Sequence, residues 1–409
     1  MWQILYSEYK DLVEMLSSSI TRVQIEDHDD VRPNVCTHCR LVREPGIHLP
    51  SYAQRYTDIP RLIRLKFISQ VCPKLRVAAL ELAIDHVKTT YNVKLYEELY
   101  NTLSLEVGRS VQANQAEDKK LDEEQTTKGE IEEAAGCSHT RKRLAHSPDS
   151  SNISLTYDAY WVEDNTMEAT LLLQELDAEL NFKKSNSGST YVRRILEEIG
   201  DYHVKSGNLQ MAVKFYARAR PYCTSSDNVI NMFRNLIRVS IYMANWWHVL
   251  TYIDEAKQYA FGYENLSQEV PNRLNCAAGL ANMGLKIYKT AAHCFLLTPF
   301  GRYDYDKIVA PEDLAYYAGL CALATLELDM LQLGVINAEP FKPFFDLAPK
   351  MWSILAKFYE GNFDYCLMLL HEIENYVRLD VYLAPHVDTL YSMISVRIKE
   401  RRSLKNTKI

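Results

Sequence analysis

The segment from Ile199 to Ala219 constrains the fold more than any other part of this 409-residue chain. It predicts the end of one helix, a tight turn at Gly207-Asn208, and a second helix. Counted from Gly207, a small residue stands at +5 (Ala212), an aromatic at +9 (Tyr216) and a small residue at +12 (Ala219). Small residues let two helices approach closely, and a ring fills the space between neighbouring units. Because one such helix pair cannot bury its apolar face alone, further copies are expected.

Looser copies of the same spacing begin at Ala244, Lys286 and Gly361. The steps between the first three starting points, 207, 244 and 286, are 37 and 42 residues, close to the length of a helix-pair repeat. Small and aromatic residues at helical spacing also occur in ordinary helical bundles, which remain the alternative. The four copies favour an all-α fold, an α-solenoid of tetratricopeptide-like helical repeats, whose surfaces bind other proteins.

Breaks in apolar periodicity divide the chain into six regions. Between Gly108 and Thr156 the stripe of apolar residues stops and charged residues dominate, which predicts a disordered linker. The predicted regions are a divergent N-terminal segment (1–48), an N-terminal helical region (49–107), the charged linker (108–156), helical repeats (157–300), a further helical region (301–398) and a basic tail (399–409).

Composition and motifs give no sign of an enzyme. The net charge of −7 provides no overall attraction to nucleic acid, and no long apolar run predicts a membrane span. Neither a phosphate-binding loop nor a paired-histidine zinc face is complete, so we expect no catalytic residues and no cofactor. Cys36 and Cys39 form the one metal-like element, a single Cys-x-x-Cys knuckle. A structural zinc site needs four ligands, so a zinc-stabilised protein is kept only as the alternative.

Several segments are more specific than a generic helical repeat; they are Tyr56–Asp58, Arg61–Ile68, Cys72–Leu80, Tyr91–Glu98, Arg218–Ser225, Val229–Met232, Cys276–Leu280, Ala291–Leu297, Gly319–Thr325, Lys357–Glu360 and Asp380–His386. Together they resemble the PCI-domain family, and within it subunit one of the COP9 signalosome. The resemblance covers roughly residues 49–397 and favours the signalosome subunit over its proteasome-lid relative. It implies that region 301–398 is the helical part of a PCI domain. No strands for a winged helix follow, so we expect this PCI domain to be truncated.

The resemblance also implies a function. Such subunits are non-catalytic scaffolds that bind other signalosome subunits and, indirectly, cullin–RING ligases, whose cullins the complex deneddylates. The expected location is cytoplasm and nucleus, and the charge and the lack of a long apolar run predict neither nucleic acid nor membrane as a partner. A helical-repeat adaptor acting outside the complex is the alternative.

Two sites are candidates for protein binding. Adjacent helical positions differ by about 100°, so Trp246 and Trp247 cannot both enter one core stripe. We expect one ring to pack inward and the other to lie partly exposed as an interface anchor; the alternative is that both rings are buried between stacked repeats. In the family the segment around Val381, Tyr382 and Leu383 leads into the winged helix. Without that continuation we expect these three apolar residues to be exposed and available to a partner.

Overall fold

The computed structural model describes residues 40–109, 156–186, 188–262, 268–337 and 339–406. Cys36, Cys39 and nearly all of the predicted linker lie outside these residues. Across the described ranges the chain forms helices and no strand, which confirms the predicted all-α fold.

Four helices make up the N-terminal region. They are α1 (Leu49–Ala53), α2 (Asp58–Val71), α3 (Arg76–Val87) and α4 (residues 93–109). Helix α2 ends because Pro73 disfavours helical backbone in the residue before it, and Cys72 is accordingly extended, with φ −122° and ψ 100°. The chain then turns back, and α3 packs along α2.

Seven helices follow as a series in which each contacts the next. They are α5 (Ala159–Asn186), α6 (Ser189–Lys205), α7 (Leu209–Arg218), α8 (Ser226–Tyr242), α9 (Trp246–Phe261), α10 (Glu269–Gly284) and α11 (Tyr288–Leu296). Small and apolar residues at the predicted offsets are buried, including Ala212, Tyr216, Ala256 and Ala291. This serial packing is the arrangement of a helical-repeat protein.

The four predicted repeat starts share one turn geometry. Gly207, Ala244, Lys286 and Gly361 have φ of 79°, 53°, 64° and 76°, in the left-handed region. In each turn the next residue donates its N–H to a carbonyl five positions earlier, at 2.8–2.9 Å, which is the Schellman ending of a helix. At three of the turns that next residue is an asparagine whose side chain caps the following helix.

Six helices complete the fold, and the last of them is tied to two others by arginines. They are α12 (Pro311–Thr325), α13 (Leu328–Leu331), α14 (Lys342–Leu347), α15 (Pro349–Glu360), α16 (Phe363–Val377) and α17 (Val387–Asn406). From α17, Arg397 donates to the Leu323 and Leu326 carbonyls at the end of α12, and Arg401 donates to the Phe358 carbonyl of α15. Cations at helix C-termini are stabilising, but these two act on neighbouring helices rather than on a fraying end of their own.

Glycines on first helices of the repeats receive the aromatic residues of the second helices. A Cβ added at Gly200 would lie 2.5 Å from Tyr216 Cε1, and one added at Gly279 would lie 2.5 Å from Phe295 Cδ1. Both rings are fully buried. The ring at the +9 position therefore packs directly on backbone, and only glycine permits that approach.

Candidate protein-interaction surfaces

The two tryptophans at the start of α9 point in different directions. The Asn245 side chain accepts a hydrogen bond from the His248 N–H at 3.3 Å, which fixes where the helix begins. The half-buried Trp246 ring lies against Gly284 and edge-on to Tyr382, with ring centroids 6.2 Å apart. Trp247 is 55% exposed. The helix geometry therefore produces the expected split, and the binding role of Trp247 stays a prediction.

The expectation that Val381, Tyr382 and Leu383 are exposed is wrong. Tyr382 is 8% and Leu383 1% exposed, and Val381 is partly buried against the main core. The Asp380 carboxylate accepts the backbone N–H groups of Tyr382 and Leu383 at 3.0 and 2.9 Å, which folds the segment inward. As the chain is folded, Tyr382 and Leu383 offer no apolar surface to a partner, and only the partly buried Val381 reaches solvent.

The carboxylate that holds this segment belongs to a buried charge cluster around Arg64. The Arg64 side chain is 1% exposed and donates to Asp380 at 2.5 Å and to Asp313 at 3.2 Å. The same guanidinium donates to the Ile308 carbonyl at 3.0 Å. A buried cation keeps its charge only when paired and hydrogen-bonded, and these partners supply both.

Tyrosines complete the shell of the Arg64 cluster. Tyr56 donates to Asp313 at 2.6 Å and Tyr317 donates to Asp380 at 2.7 Å. The guanidinium also lies 3.9 Å from the centroid of the Tyr56 ring, a cation–π contact. Burial raises the pKa of Asp313 above its usual range against the opposing effect of Arg64. Burial likewise raises the pKa of Tyr56 and of Tyr317, so both phenols remain protonated donors.

The Arg64 cluster joins residues that are far apart in sequence. Arg64 is on α2, Asp313 begins α12 and Asp380 follows α16, so the N-terminal helices and the C-terminal helices share one core. A second pair repeats the connection closer to solvent, with Arg55 2.7 Å from Glu312. Neither link was predicted from the sequence. The only available signal was a charged residue inside the apolar stripe of α2.

The described residues contain no group of three or more His, Cys, Asp or Glu side chains placed to hold a metal ion. Among those residues, no helix is both long enough and apolar enough to span a membrane. Serial helices form the surface, and exposed aromatic rings such as Trp247 project from it. The fold is that of an all-α helical-repeat protein.

Comparison with known proteins gives the family. Residues 158–333 match the family model described as 26S proteasome subunit RPN7. The chain is 40% identical over 370 residues to COP9 signalosome complex subunit 1b of Drosophila melanogaster, covering 87% of this chain and 70% of that protein. It is 30% identical over 358 residues to COP9 signalosome complex subunit 1 of Arabidopsis thaliana, with the same coverage of 87% and 70%. The chain belongs to the COP9 signalosome subunit 1 family.

A more distant similarity extends to the proteasome. The chain is 21% identical over 232 residues to 26S proteasome non-ATPase regulatory subunit 6 of Dictyostelium discoideum, covering 55% of this chain and 60% of that protein. The identity is lower and the matched segment shorter than for the signalosome relatives. The prediction that the signalosome subunit is the nearer of the two is therefore confirmed.

Proposed function

We propose that the protein is a non-catalytic scaffold subunit of the COP9 signalosome. The observation that carries this proposal is the 40% identity over 87% of the chain to a protein named as subunit 1b of that complex. As a subunit it would bind other signalosome subunits, support deneddylation of cullins and so regulate cullin–RING ubiquitin ligases. The proposed location is cytoplasm and nucleus, with neither nucleic acid nor membrane as a direct partner.

The packing of the fold supports a scaffold role. The Arg64 cluster connects helices from both ends of the described chain, and the arginines of α17 connect three helices of its C-terminal part. A rigid body of this kind holds its surface helices at fixed relative positions, which reduces the entropy lost when several partners bind. Helical repeats provide long surfaces for such partners.

Affinity purification of the tagged full chain from cells tests the proposal. We expect recovery of the other signalosome subunits in comparable molar amounts. Depletion of the protein should raise the fraction of neddylated cullin, and re-expression should lower that fraction again. Recovery of partners without any signalosome subunit would contradict the proposal and favour the helical-repeat adaptor that acts outside the complex.

A pair of variants tests Trp247 as an anchor within that experiment. Trp247→Ala removes an exposed ring and should leave the fold intact, because the side chain is 55% exposed. We expect it to reduce recovery of at least one subunit. Tyr365→Ala, which removes another exposed ring on α16, is the matched control and should keep every partner. Equal recovery with both variants would show that Trp247 is not an anchor.

A further inference from the structure

Helix α5 has two apolar faces, of which the fold uses one. Its inner face packs on α6 through Leu176 and Leu180, both less than 10% exposed, with Leu172 and Leu173 beside them, and Ala169 on the same side is also buried. The angular position of each residue follows from a rotation of about 100° per residue. On that basis the inner residues fall on one side of the 28-residue helix, and the opposite side faces away from the repeats.

The outer side of α5 has an apolar stripe of its own. Tyr160, Met167, Leu171 and Phe182 are exposed by 80%, 59%, 63% and 61%. At about 100° per residue these four side chains fall within a band of roughly 60°. The stripe extends over 22 residue steps, or roughly 33 Å at 1.5 Å per residue. Isolated apolar residues on a surface are ordinary, but an aligned set of this length marks an interaction site.

Carboxylates surround this stripe. Between residues 159 and 182 the helix has six acidic residues and no Lys or Arg, and Lys183 and Lys184 follow. All six acidic side chains are exposed, and none forms a salt bridge to another described residue; they are Glu163, Asp164, Glu168, Glu175, Asp177 and Glu179. At about 100° per residue five of them fall beside the stripe and Asp164 falls within its band. These carboxylates attract cationic partners and repel nucleic acid and anionic lipid.

The surroundings of α5 leave only its outer side uncovered. Helix α5 contacts α6 as its neighbour in the run of repeat helices. Its first turns also contact the N-terminal region, because the Trp161 ring centroid lies 4.8 Å from that of Tyr96 and Asn165 donates to the Thr90 carbonyl at 3.1 Å. A face of a repeat array on which nothing stacks is normally polar. The outer side of α5 is instead apolar along its centre line, so it is suited to one more helix.

We propose that the outer face of α5 binds a basic amphipathic helix of a partner protein. The residues of the stripe are separated by seven, four and eleven positions, all close to whole numbers of helical turns, so the stripe can pack along the apolar face of a second helix. The six carboxylates select Lys and Arg on the flanks of that helix. This surface is separate from Trp247, and the inference goes beyond membership of the complex.

Fluorescence anisotropy with designed peptides tests the proposed site. The probe is a labelled 22-residue amphipathic peptide of Leu and Lys, and the comparison peptide has the same Leu pattern with Glu in place of Lys. We expect the full chain to bind the Lys peptide, and to bind the Glu peptide at least about tenfold more weakly. Affinity for the Lys peptide should fall as NaCl rises from about 0.05 to about 0.5 M.

Three variants separate a built site from general charge attraction. Met167→Ser with Leu171→Ser removes the centre of the stripe, and Glu163→Gln with Glu168→Gln removes flanking charge. Each of these two pairs of substitutions should lower the affinity for the Lys peptide at least about tenfold. Tyr365→Ser with Met368→Ser, which removes exposed apolar residues from α16, should leave the affinity unchanged. Circular dichroism confirms that every variant is folded.

Two results would overturn the proposal. One is an equal affinity for the Lys peptide in the wild-type chain and in all three variants, since binding would then be non-specific. The other is concentration-dependent dimerisation that the Met167→Ser/Leu171→Ser pair abolishes, because a second copy of the chain would then be the occupant. Neither result affects the subunit proposal, which depends on co-purification of signalosome subunits.

Discussion

At the scale of single residues, two repeat turns place non-glycine residues in the left-handed conformation. Ala244 and Lys286 occupy positions equivalent to Gly207 and Gly361. Left-handed backbone costs an L-residue roughly 1–2 kcal/mol, whereas glycine loses about 0.5–1 kcal/mol more entropy on folding. We therefore expect Ala244→Gly to increase the free energy of unfolding by about 0.5–1 kcal/mol, measured by urea denaturation.

The reverse substitution is the control for that prediction. Gly207→Ala should lower the free energy of unfolding by about 1 kcal/mol or more. It adds left-handed strain, and its Cβ would lie 2.3 Å from Asn92 Nδ2. A destabilised Ala244→Gly variant would show that the alanine methyl makes packing contacts that outweigh the backbone strain.

His386 should make the fold sensitive to mild acid. Burial, together with the nearby Lys286 ammonium, lowers the pKa of His386 to about 4, and its Nδ1 lies 3.1 Å from the Tyr288 hydroxyl. In the unfolded chain the pKa is about 6.5, so the unfolded state binds the proton first. The stabilisation is complete above about pH 6.5 and is lost as the pH falls towards 4.

Urea denaturation at several pH values checks the His386 prediction. Between about pH 6.5 and 4.5 the free energy of unfolding should fall by up to about 1.4 kcal/mol per pH unit more in the wild-type chain than in His386→Gln. Glutamine can still bond to the Tyr288 hydroxyl and does not titrate. Parallel pH profiles for the two proteins would assign the acid sensitivity to other groups.

Residue patterns explain why some of these turns were predictable from sequence and others were not. Gly207-Asn208 and Gly361-Asn362 combine a residue suited to left-handed backbone with a capping side chain, so the turn is visible locally. Lys286-Ile287 has neither feature, and only its spacing from the other copies indicates a repeat. Its turn forms because the flanking helices pack together.

At the scale of helix pairs, the volume of the residue at +9 is matched by its partner on the preceding helix. Tyr216 and Phe295 each lie on a glycine 16 positions earlier, Gly200 and Gly279. In the other two repeats the +9 residue is aliphatic, and the position 16 residues earlier is an isoleucine rather than glycine. A large ring is thus paired with glycine, and a smaller aliphatic residue with isoleucine. This pairing can be recognised in the sequence only once the register of the helices is known.

A double-mutant cycle at Gly279 and Phe295 tests this matching. Gly279→Ala places a methyl group within 2.5 Å of the ring and should destabilise the protein by about 1–3 kcal/mol. Phe295→Leu should also destabilise it, by leaving a cavity. In the double variant the methyl group occupies part of that cavity, so the combined loss should be smaller than the sum by at least about 0.5 kcal/mol. Additive losses, measured by urea denaturation, would mean that the two residues do not share space.

Side-chain exposure could be predicted from the sequence where it depends on the geometry of one helix. It could not be predicted where it depends on contacts with residues distant in sequence. The split between Trp246 and Trp247 follows from the rotation per residue alone. The burial of Tyr382 and Leu383 depends on Asp380, which is held by Arg64 across 316 positions of sequence. No local pattern around 381–383 contains that partner. The same limit applies to Arg397 and Arg401, whose acceptors are carbonyls of other helices.

At the scale of the whole molecule, the Arg64 cluster connects the two ends of the described fold. Removal of the guanidinium would leave the Asp313 and Asp380 carboxylates buried without their cation. Breaking a buried pair in this way typically costs about 3–5 kcal/mol, so Arg64→Met should be severely destabilising. Arg64→Lys should not restore stability, because one ammonium group cannot reach both carboxylates and the Ile308 carbonyl as the planar guanidinium does.

Hydrogen exchange and a matched surface variant separate this link from general destabilisation. Arg55→Met removes the more exposed Arg55–Glu312 pair, with side chains 33% and 26% accessible, and should cost about 1 kcal/mol or less. In Arg64→Met, amides of α2 and of the segment following α16 should lose protection together, because both depend on the same cation. The internal helix pair α6–α7 should keep its protection, since many of its contacts lie in a separate apolar cluster that includes Val192, Ile195 and Phe215. Equal losses of stability in the two variants, or exchange that rises in α2 alone, would show that the cluster does not join the two ends of the molecule.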